Sequence, residues 1–347
     1  MNQLTCSPAA DRPTTILIGA GLRFELEKRV AEYGEGRRVI SLVDQVVEDT
    51  YPNLLPSHWL KIPLSGGEDC KTFEVLERVL RQMIGWKLDR STILVAVGGG
   101  TVGDLGGLVA SLFLRGIELV QVPTTLVAML DSSVGGKTAI NVPEGKNLVG
   151  TYKPASLMLS DVELLSSLPR EHLLSGLGEA IKMGIGFNRE LFALLESQAA
   201  TVCAGDPALL TEVVTMAVGD KIATVEADPH ETTGRRRCLN LGHTLAHALE
   251  ASSNFSILHG HAVAQGLHFA LDVATTQQAM TSVDTERCHA LIDEFGFARQ
   301  PLPAAAQLLE FFTRDKKMEK GILHFVLPTG IGACKTVTLR PEDLIPQ

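Results

Sequence analysis

The chain has 347 residues, 45% of them hydrophobic and 20% charged, with a formal net charge of −9. That length suggests about two domains with a real core, and the acidic balance excludes the broad basic surface of a nucleic-acid binder. An anionic substrate would have to be met by a local cluster of cations.

The N-terminal "MNQLTCSPAADRPTT" lacks the basic-then-apolar pattern of a signal peptide, and residues 1–13 read as a disordered leader. "TTILIGAGL" then reads as a strand ending in a glycine turn, "FELEKRVAEYG" as a helix and "RRVISLVD" as the next strand. "CKTFEVLERVLRQMIGWKL" has helical spacing, with Phe73, Leu76, Val79, Leu80 and Met83 on one side. "STILVAVGGG" is a short continuous apolar run of the buried parallel type, and "IELVQVPTTL" repeats it after another helix. Strands alternating with helices predict an α/β domain over residues 1–165.

From residue 166 to 347 the pattern is helical. "REHLLSGLGEAIKMGIGF", "ALLTEVVTMAVGDKIATVEAD", "LNLGHTLAHALEAS" and "GHAVAQGLHFALDVATTQQA" all read as helices, and the next strong strand is "ILHFVLP". The expected architecture is a Rossmann-like dinucleotide-binding domain followed by an all-helical domain. The six cysteines form no C-x-x-C pair and read as reduced thiols. No apolar run approaches the roughly 20 residues of a membrane span, so a cytoplasmic protein is expected, with no nucleic-acid or membrane partner.

Three segments carry chemistry. "GAGLRF" is half a dinucleotide fingerprint and reads as a plain turn. "VGGGTVGDLGG" is stronger, because three glycines leave a buried strand and run into a helix, where bare N–H groups can approach a pyrophosphate. Asp44 ends the second strand and can accept from a ribose hydroxyl, and "PTT" offers hydroxyls at the next strand end. Together they point to a nicotinamide dinucleotide. "DSSVGGKTAINVPEGKNLVG" has too few apolar residues for a core element. It suits an anionic, hydroxyl-rich ligand, with lysines for phosphate or carboxylate and Asp and Asn for hydroxyls.

The third segment holds His243, His247, His259 and His261. "HTLAH" lacks the glutamate of a zinc protease helix. Two histidines with Glu179 from "GLGEAIK" suit Zn²⁺ or a similar ion with an open position, but spacing does not choose the two histidines.

Assembled in order, "GGGTVGDLGG", "LRG", "VPTTLVAMLDSSVGGKTAINVPEGKNLVG", "SGLGEAIK", "NLGHTLAHALE", "LHGHAVA" and "RDKK" closely resemble the 3-dehydroquinate synthase family of sugar-phosphate cyclases. The resemblance implies conversion of the sugar phosphate DAHP to 3-dehydroquinate with release of phosphate. It implies transient oxidation by NAD⁺, phosphate elimination, re-reduction, ring opening and aldol closure, in a homodimer. It makes Glu179, His243 and His259 the ligands of Zn²⁺ or Co²⁺. Lys182 and His247 become members of the proton-transfer network.

By the same resemblance Asp131, Lys137, Asn147, Lys221, Arg236 and Asn240 contact substrate. Arg115 reaches a phosphate in the partner subunit's site, and Lys316 or Lys317 contributes from the late segment. Asp44, Glu68, Lys71, Gly99, Gly100, Thr101, Asp104, Thr124, Thr125 and Lys146 align with NAD contacts.

Departures from the pattern are His261 in place of a glutamate, Gly178 where alanine is usual and Ala246 where glycine is usual. The last two read as packing compensations. Asn240 and His247 disfavour a cyclase of sedoheptulose 7-phosphate. A cyclase of an amino analogue of DAHP and a metal-dependent glycerol-type dehydrogenase are the alternatives.

Overall fold

The computed structural model describes residues 1–7, 13–229, 231–253, 256–314, 318–319 and 322–344. Lys316 and Lys317 lie outside the described residues. The chain divides into two compact units, Met1–Pro169 with Leu210–Val218, and Arg170–Leu209 with Gly219–Gln347. Among the described residues, no helix is long and apolar enough to cross a membrane.

In the first unit the order is β1 (Asn2–Cys6), β2 (Thr14–Gly19), α1 (Leu26–Ala31), β3 (Val39–Asp44), α2 (Gln45–Thr50), β4 (Leu60–Leu64), α3 (Phe73–Gly85), β5 (Ile93–Gly98), α4 (Gly100–Leu112), β6 (Glu118–Pro123), β7 (Lys137–Val142), β8 (Gly145–Tyr152) and β9 (Leu157–Asp161). Seven strands form one sheet in the order β1-β2-β9-β6-β5-β3-β4. Its pairs are parallel except β1 with β2.

The continuous apolar run of β5 explains its central place, since all six residues are buried. Ile93, Val95 and Val97 enter one core with Leu26 and Val30 of α1. Leu94 and Ala96 enter the other with Val79, Met83, Leu105 and Val109 of α3 and α4. Each such side chain contributes roughly 2 kcal/mol on burial. α4 lies tight on its neighbours because of "LGG". A Cβ on Gly106 would be 2.7 Å from the Ala96 side chain, and one on Gly107 would be 2.2 Å from that of Thr138 on β7.

Three expectations are corrected in this unit. Residues 2–6, expected in a disordered leader, form β1, paired from Asn2↔Ile18 to Cys6↔Thr14. The alternation of Leu4 and Cys6 with Gln3 and Thr5 gives it a half-buried edge-strand character. Phe73 is exposed at the first turn of α3, while Leu76, Val79 and Met83 are buried. The segment judged too polar for a core element contains the β7–β8 hairpin, in which Ile140 is fully buried and β8 is solvent-facing.

The second unit contains α5 (Arg170–Gly186), α6 (Arg189–Cys203), α7 (Pro207–Ala227, whose middle belongs to the first unit), α8 (His243–Ser252), α9 (His259–Thr276), α10 (Ser282–Glu294) and α11 (Ala305–Arg314). It is helical, as expected, with a small antiparallel sheet of β10 (Met318–Glu319), β11 (Ile322–Gly330) and β12 (Ala333–Leu339). α5 and α9 are buried along most of their length, and they cross in direct backbone contact. A Cβ on Gly260 would stand 1.6 Å from the Ser175 carbonyl oxygen, and one on Gly178 would stand 2.4 Å from the Gly260 carbonyl oxygen. The Gly260 carbonyl is therefore the reason for Gly178, where the family resemblance leads one to expect alanine.

Candidate active site

The α5–α9 crossing sets Glu179 beside His259. His259 Nε2 lies 3.0 Å from Glu179 Oε1. His243, the first residue of α8, brings its Nε2 to 3.6 Å from the same oxygen. One donor atom from each of the three lies within 4.8 Å of the other two. Gly242 precedes His243 in a left-handed conformation (φ 77°), and its carbonyl fills the space over Gly266, where a Cβ would clash at 1.8 Å. That glycine pair lets α8 enter against α9.

The ring orientations follow from the hydrogen bonds. His243 Nδ1–H donates to the Leu241 carbonyl at 3.0 Å, and His259 Nδ1–H donates to the Glu250 carboxylate at 3.3 Å. Both rings then present Nε2 toward Glu179, as a metal site with oriented imidazoles requires. Two nitrogens and one carboxylate oxygen are the three-ligand set of a zinc or similar divalent ion. The electrostatics agree. Burial pushes His259 down, but hydrogen bonds and charge from Glu179 and Glu250 outweigh it and raise the imidazolium to about 10. The site favours positive charge where an ion would sit. Burial likewise pushes Glu179 up, but Lys182, His259 and His243 hold it well below the usual carboxylate range.

Lys182 Nζ contacts Glu179 Oε2 at 2.5 Å, and both side chains are 1% exposed. His247 stands edge-on to His243 with ring centroids 5.4 Å apart, and it is exposed. His261 lies outside the three-residue cluster. It packs edge-on against Phe297 at 5.0 Å, its Nδ1 is buried with no hydrogen-bond partner among the described residues, and burial pushes its pKa down. Glu250 is the member that sequence reasoning missed. Its signal was its place on α8, three residues beyond His247.

Arg236 is buried in the turn before α8. Asp228 accepts from its backbone N–H at 3.1 Å, and from Thr232 and Thr233 N–H at 2.8 and 3.1 Å. The Arg236 guanidinium donates to the Pro229 carbonyl at 2.7 Å. Asn240 ends the same turn half-buried, and Lys221 is buried on α7.

The first unit gathers the second group of predicted residues at the carboxyl ends of β3, β5 and β6. There the connection after β3 leads to β4 on one side and that after β5 leads to β6 on the other, a reversal of strand order that is the usual place for a dinucleotide. Asp44 Oδ1 caps α2 through Val46 N–H, leaving Oδ2 beside Gly66, where a Cβ would come within 2.3 Å. Gly99 caps α4 without a side-chain hydrogen bond. A Cβ on Gly100 would meet Ser132 Oγ at 2.6 Å, and that buried hydroxyl has no partner among the described residues. Thr124 N–H donates to the Gly98 carbonyl, and Thr125 lies against Gly99. Bare backbone, a helix N-terminus and an unpaired hydroxyl together fit a phosphate-bearing cofactor.

Lys71, 3% exposed, binds Asp104 at 2.6 Å and also contacts Asn147 Oδ1. Burial raises Asp104 to about 6 against the pull of Lys71. Glu68 joins Lys146 at 2.9 Å and Asn141 at 2.7 Å. Thr101 reaches the buried Cys70 thiol. Asn147, expected among the substrate contacts, is thus brought into the predicted cofactor group, with Asn141 as a member that was not foreseen. Asp131 sits in the turn Ala128–Ser132, and Lys137 is exposed at the start of β7. Arg115, exposed with φ 68°, follows the far end of α4, about 20 Å along that helix from Gly100. "GAGLRF" is a structural turn, because Asp161 accepts from the N–H groups of Gly21 and Arg23.

Known proteins resemble the chain over most of its length. Residues 61–175 match the 3-dehydroquinate synthase N-terminal family model, and residues 176–318 match the C-terminal one. The 3-dehydroquinate synthase of Symbiobacterium thermophilum is 39% identical over 332 residues, covering 91% of each chain. That of Rhodospirillum rubrum is 42% identical over 280 residues, 78% of this chain and 72% of its own. Among solved structures, the 2-epi-5-epi-valiolone synthase of Streptomyces hygroscopicus subsp. jinggangensis, with NAD⁺ and Zn²⁺ bound, superposes with a TM-score of 0.88 at 26% identity, covering 97% of this chain and 96% of its own.

Proposed function

The chain belongs to the 3-dehydroquinate synthase family, and from that premise we propose that it converts DAHP to 3-dehydroquinate and phosphate, a carbon–oxygen lyase step of the shikimate pathway. The observation that carries the reading is the Glu179–His243–His259 cluster, with both imidazoles turned toward the carboxylate by their Nδ1 hydrogen bonds. These three residues would hold Zn²⁺ or Co²⁺. The strand-end group of Asp44, Glu68, Lys71, Gly99, Gly100, Thr101, Asp104, Thr124, Thr125 and Lys146 would hold NAD⁺. When bound, the ion supplies Lewis acidity to chelated hydroxyls and the dinucleotide supplies reversible hydride transfer, with no net redox change.

The chain's own groups do the rest. Lys182, buried against Glu179, keeps a positive charge and a proton donor beside the ligand set. His247, exposed at the edge of His243, is suited to carry a proton between that set and solvent. Asp131 and Asn240 offer hydrogen bonds to sugar hydroxyls, and Asn147 joins Lys71 in the cofactor group. Lys137, Lys221 and Arg236 supply the cations that a phosphate and a carboxylate need on an acidic protein. Arg115 is assigned to the partner subunit's substrate in a cytoplasmic homodimer, which its distance along α4 from Gly100 supports.

The test supplies purified protein with DAHP, NAD⁺ and Zn²⁺ and scores phosphate and the cyclic product together. Equal amounts of both without accumulating NADH are expected. Steady NADH production would overturn the reading in favour of a dehydrogenase, and preference for an amino analogue of DAHP would move it to a sister cyclase.

A further inference from the structure

Two thiols meet in the second unit beside the turn that carries Arg236 and Asn240. Cys238 lies within that turn, Arg236–Asn240, and Cys334 is the second residue of β12. Their side chains hydrogen-bond to one another. Cys238 Sγ also lies 3.8 Å from Thr336 Oγ1, two residues along β12 and so on the same strand face as Cys334. Cys334 packs against the C-terminal residue of α5, its Sγ lying 3.4 Å from where a Cβ on Gly186 would stand. Both thiols are partly exposed.

We propose that Cys238 and Cys334 form a peroxide-sensitive dithiol that closes reversibly to a disulfide and, in closing, displaces the Arg236–Asn240 turn. The chemistry assigns Cys238 as the nucleophile. The hydrogen bond from Cys334 pulls Cys238 down to about 6 against burial, with Thr336 and Arg235 assisting, and the same bond with burial pushes Cys334 up. Elsewhere burial raises the thiols of Cys70 and Cys288, to about 11 and about 12, and raises that of Cys203. The geometry points the same way, because Cys238 directly follows Arg235, Arg236 and Arg237 in the chain and its Sγ lies near the Thr336 hydroxyl.

The Cys238 thiolate attacks one oxygen of hydrogen peroxide and the O–O bond breaks. The sulfur loses two electrons to become a sulfenic acid, and hydroxide leaves as water after taking up a proton. Cys334 then loses its proton and attacks the Cys238 sulfur. The S–O bond breaks, and hydroxide departs with that proton as a second water. Two thiols and one peroxide thus give one disulfide and two waters, and a thiol reductant reverses the step.

A disulfide holds its sulfurs about 2 Å apart, closer than any non-bonded pair, so the turn and β12 must draw together. The Arg236 backbone is anchored from the other side by Asp228, so the turn has to yield between the two attachments. The consequence for turnover rests on the proposed role of Arg236 and Asn240 in binding substrate. The disulfide itself does not.

The experiment exposes the reduced full chain to hydrogen peroxide, blocks remaining thiols under denaturing conditions, and maps cysteines by mass spectrometry alongside the phosphate-release assay. The expected product is a Cys238–Cys334 linked peptide with a loss of about 2 Da. Phosphate release should fall by about tenfold or more and return with dithiothreitol. In Cys334→Ser the sulfenic acid on Cys238 should be trapped by dimedone, with no linked peptide. If peroxide oxidises Cys203 while Cys238 and Cys334 remain alkylatable, the proposal is overturned. A linked peptide with unchanged turnover would overturn the displacement. The map needs neither a variant nor activity, so it stands even if the assigned reaction is wrong.

Discussion

Gly260 and Ser175 meet backbone to backbone, with no room for a methyl group between them, because a Cβ on Gly260 would stand 1.6 Å from the Ser175 carbonyl oxygen. Gly260 immediately follows His259, and Ser175 lies one helical turn before Glu179. Gly260→Ala must therefore push α9 off α5 at the point where the ligand atoms converge. The expected cost is about 4 kcal/mol or more, together with loss of bound metal. Thermal melting and elemental analysis check it. A soluble variant with an unchanged melting point and full metal content would show that the crossing does not set the site.

The histidines of α8 are expected to separate by function. His243→Ala should lose both metal and activity. His247→Ala should keep the metal and turn over slowly, since its ring neighbours His243 without joining the three-residue cluster. Glu250→Gln should weaken metal affinity by roughly 10–100-fold, because it loosens the tautomer and basicity of His259. Metal content measured across the three variants decides, and metal loss in His247→Ala would remove the distinction.

Lys71 and Asp104 form a largely buried pair at the strand ends. Lys71→Met should destabilise the first unit by roughly 3–5 kcal/mol, because it strands a carboxylate. The double variant Lys71→Met/Asp104→Leu should recover part of that loss. Both should bind NAD⁺ more weakly by calorimetry. Strictly additive denaturation energies in the cycle would contradict the coupling.

Asp228 gives a pH dependence of known sign. Burial pushes it up, but N–H groups of Thr233, Arg236 and Thr232 hold its carboxyl well below the usual range. Its folded pKa is depressed, so the unfolded chain takes up the proton first. The contribution is full above about pH 4 and lost as pH falls through the folded value. Asp228→Ala should cost about 3 kcal/mol at neutral pH, on the order of 1 kcal/mol for each hydrogen bond lost. The gap between variant and wild type should shrink on acidification, and a gap that widens below pH 4 would reverse the assignment.

What could be read from the sequence was whatever left a periodic or chemical mark. The run "STILVAVGGG" announced both β5 and the glycine approach to α4, because a strand buried on two faces leaves no polar alternation. β1 and β8 left no such mark. One is a short edge strand, and the other is solvent-facing along most of its length. Four histidines in one stretch signalled a cluster, but spacing could not rank them. The ranking depends on Nδ1 contacts to Leu241 and Glu250 that fold geometry alone creates. His261 illustrates the limit. Next to Gly260 it looked like a rival for the ion, yet two residues of helix beyond His259 turn it away onto Phe297. The Cys238–Cys334 contact was equally invisible, since neither residue belongs to a local motif.

Glu179 and His259 stand 80 positions apart in the chain. A contact of that separation forms only after a long loop has closed, which is among the slower entropic steps on the way to a native state. Ion capture during refolding would accordingly lag behind the appearance of helix. Metal uptake would then report that the second unit has finished folding, and chains stalled beforehand would remain unloaded.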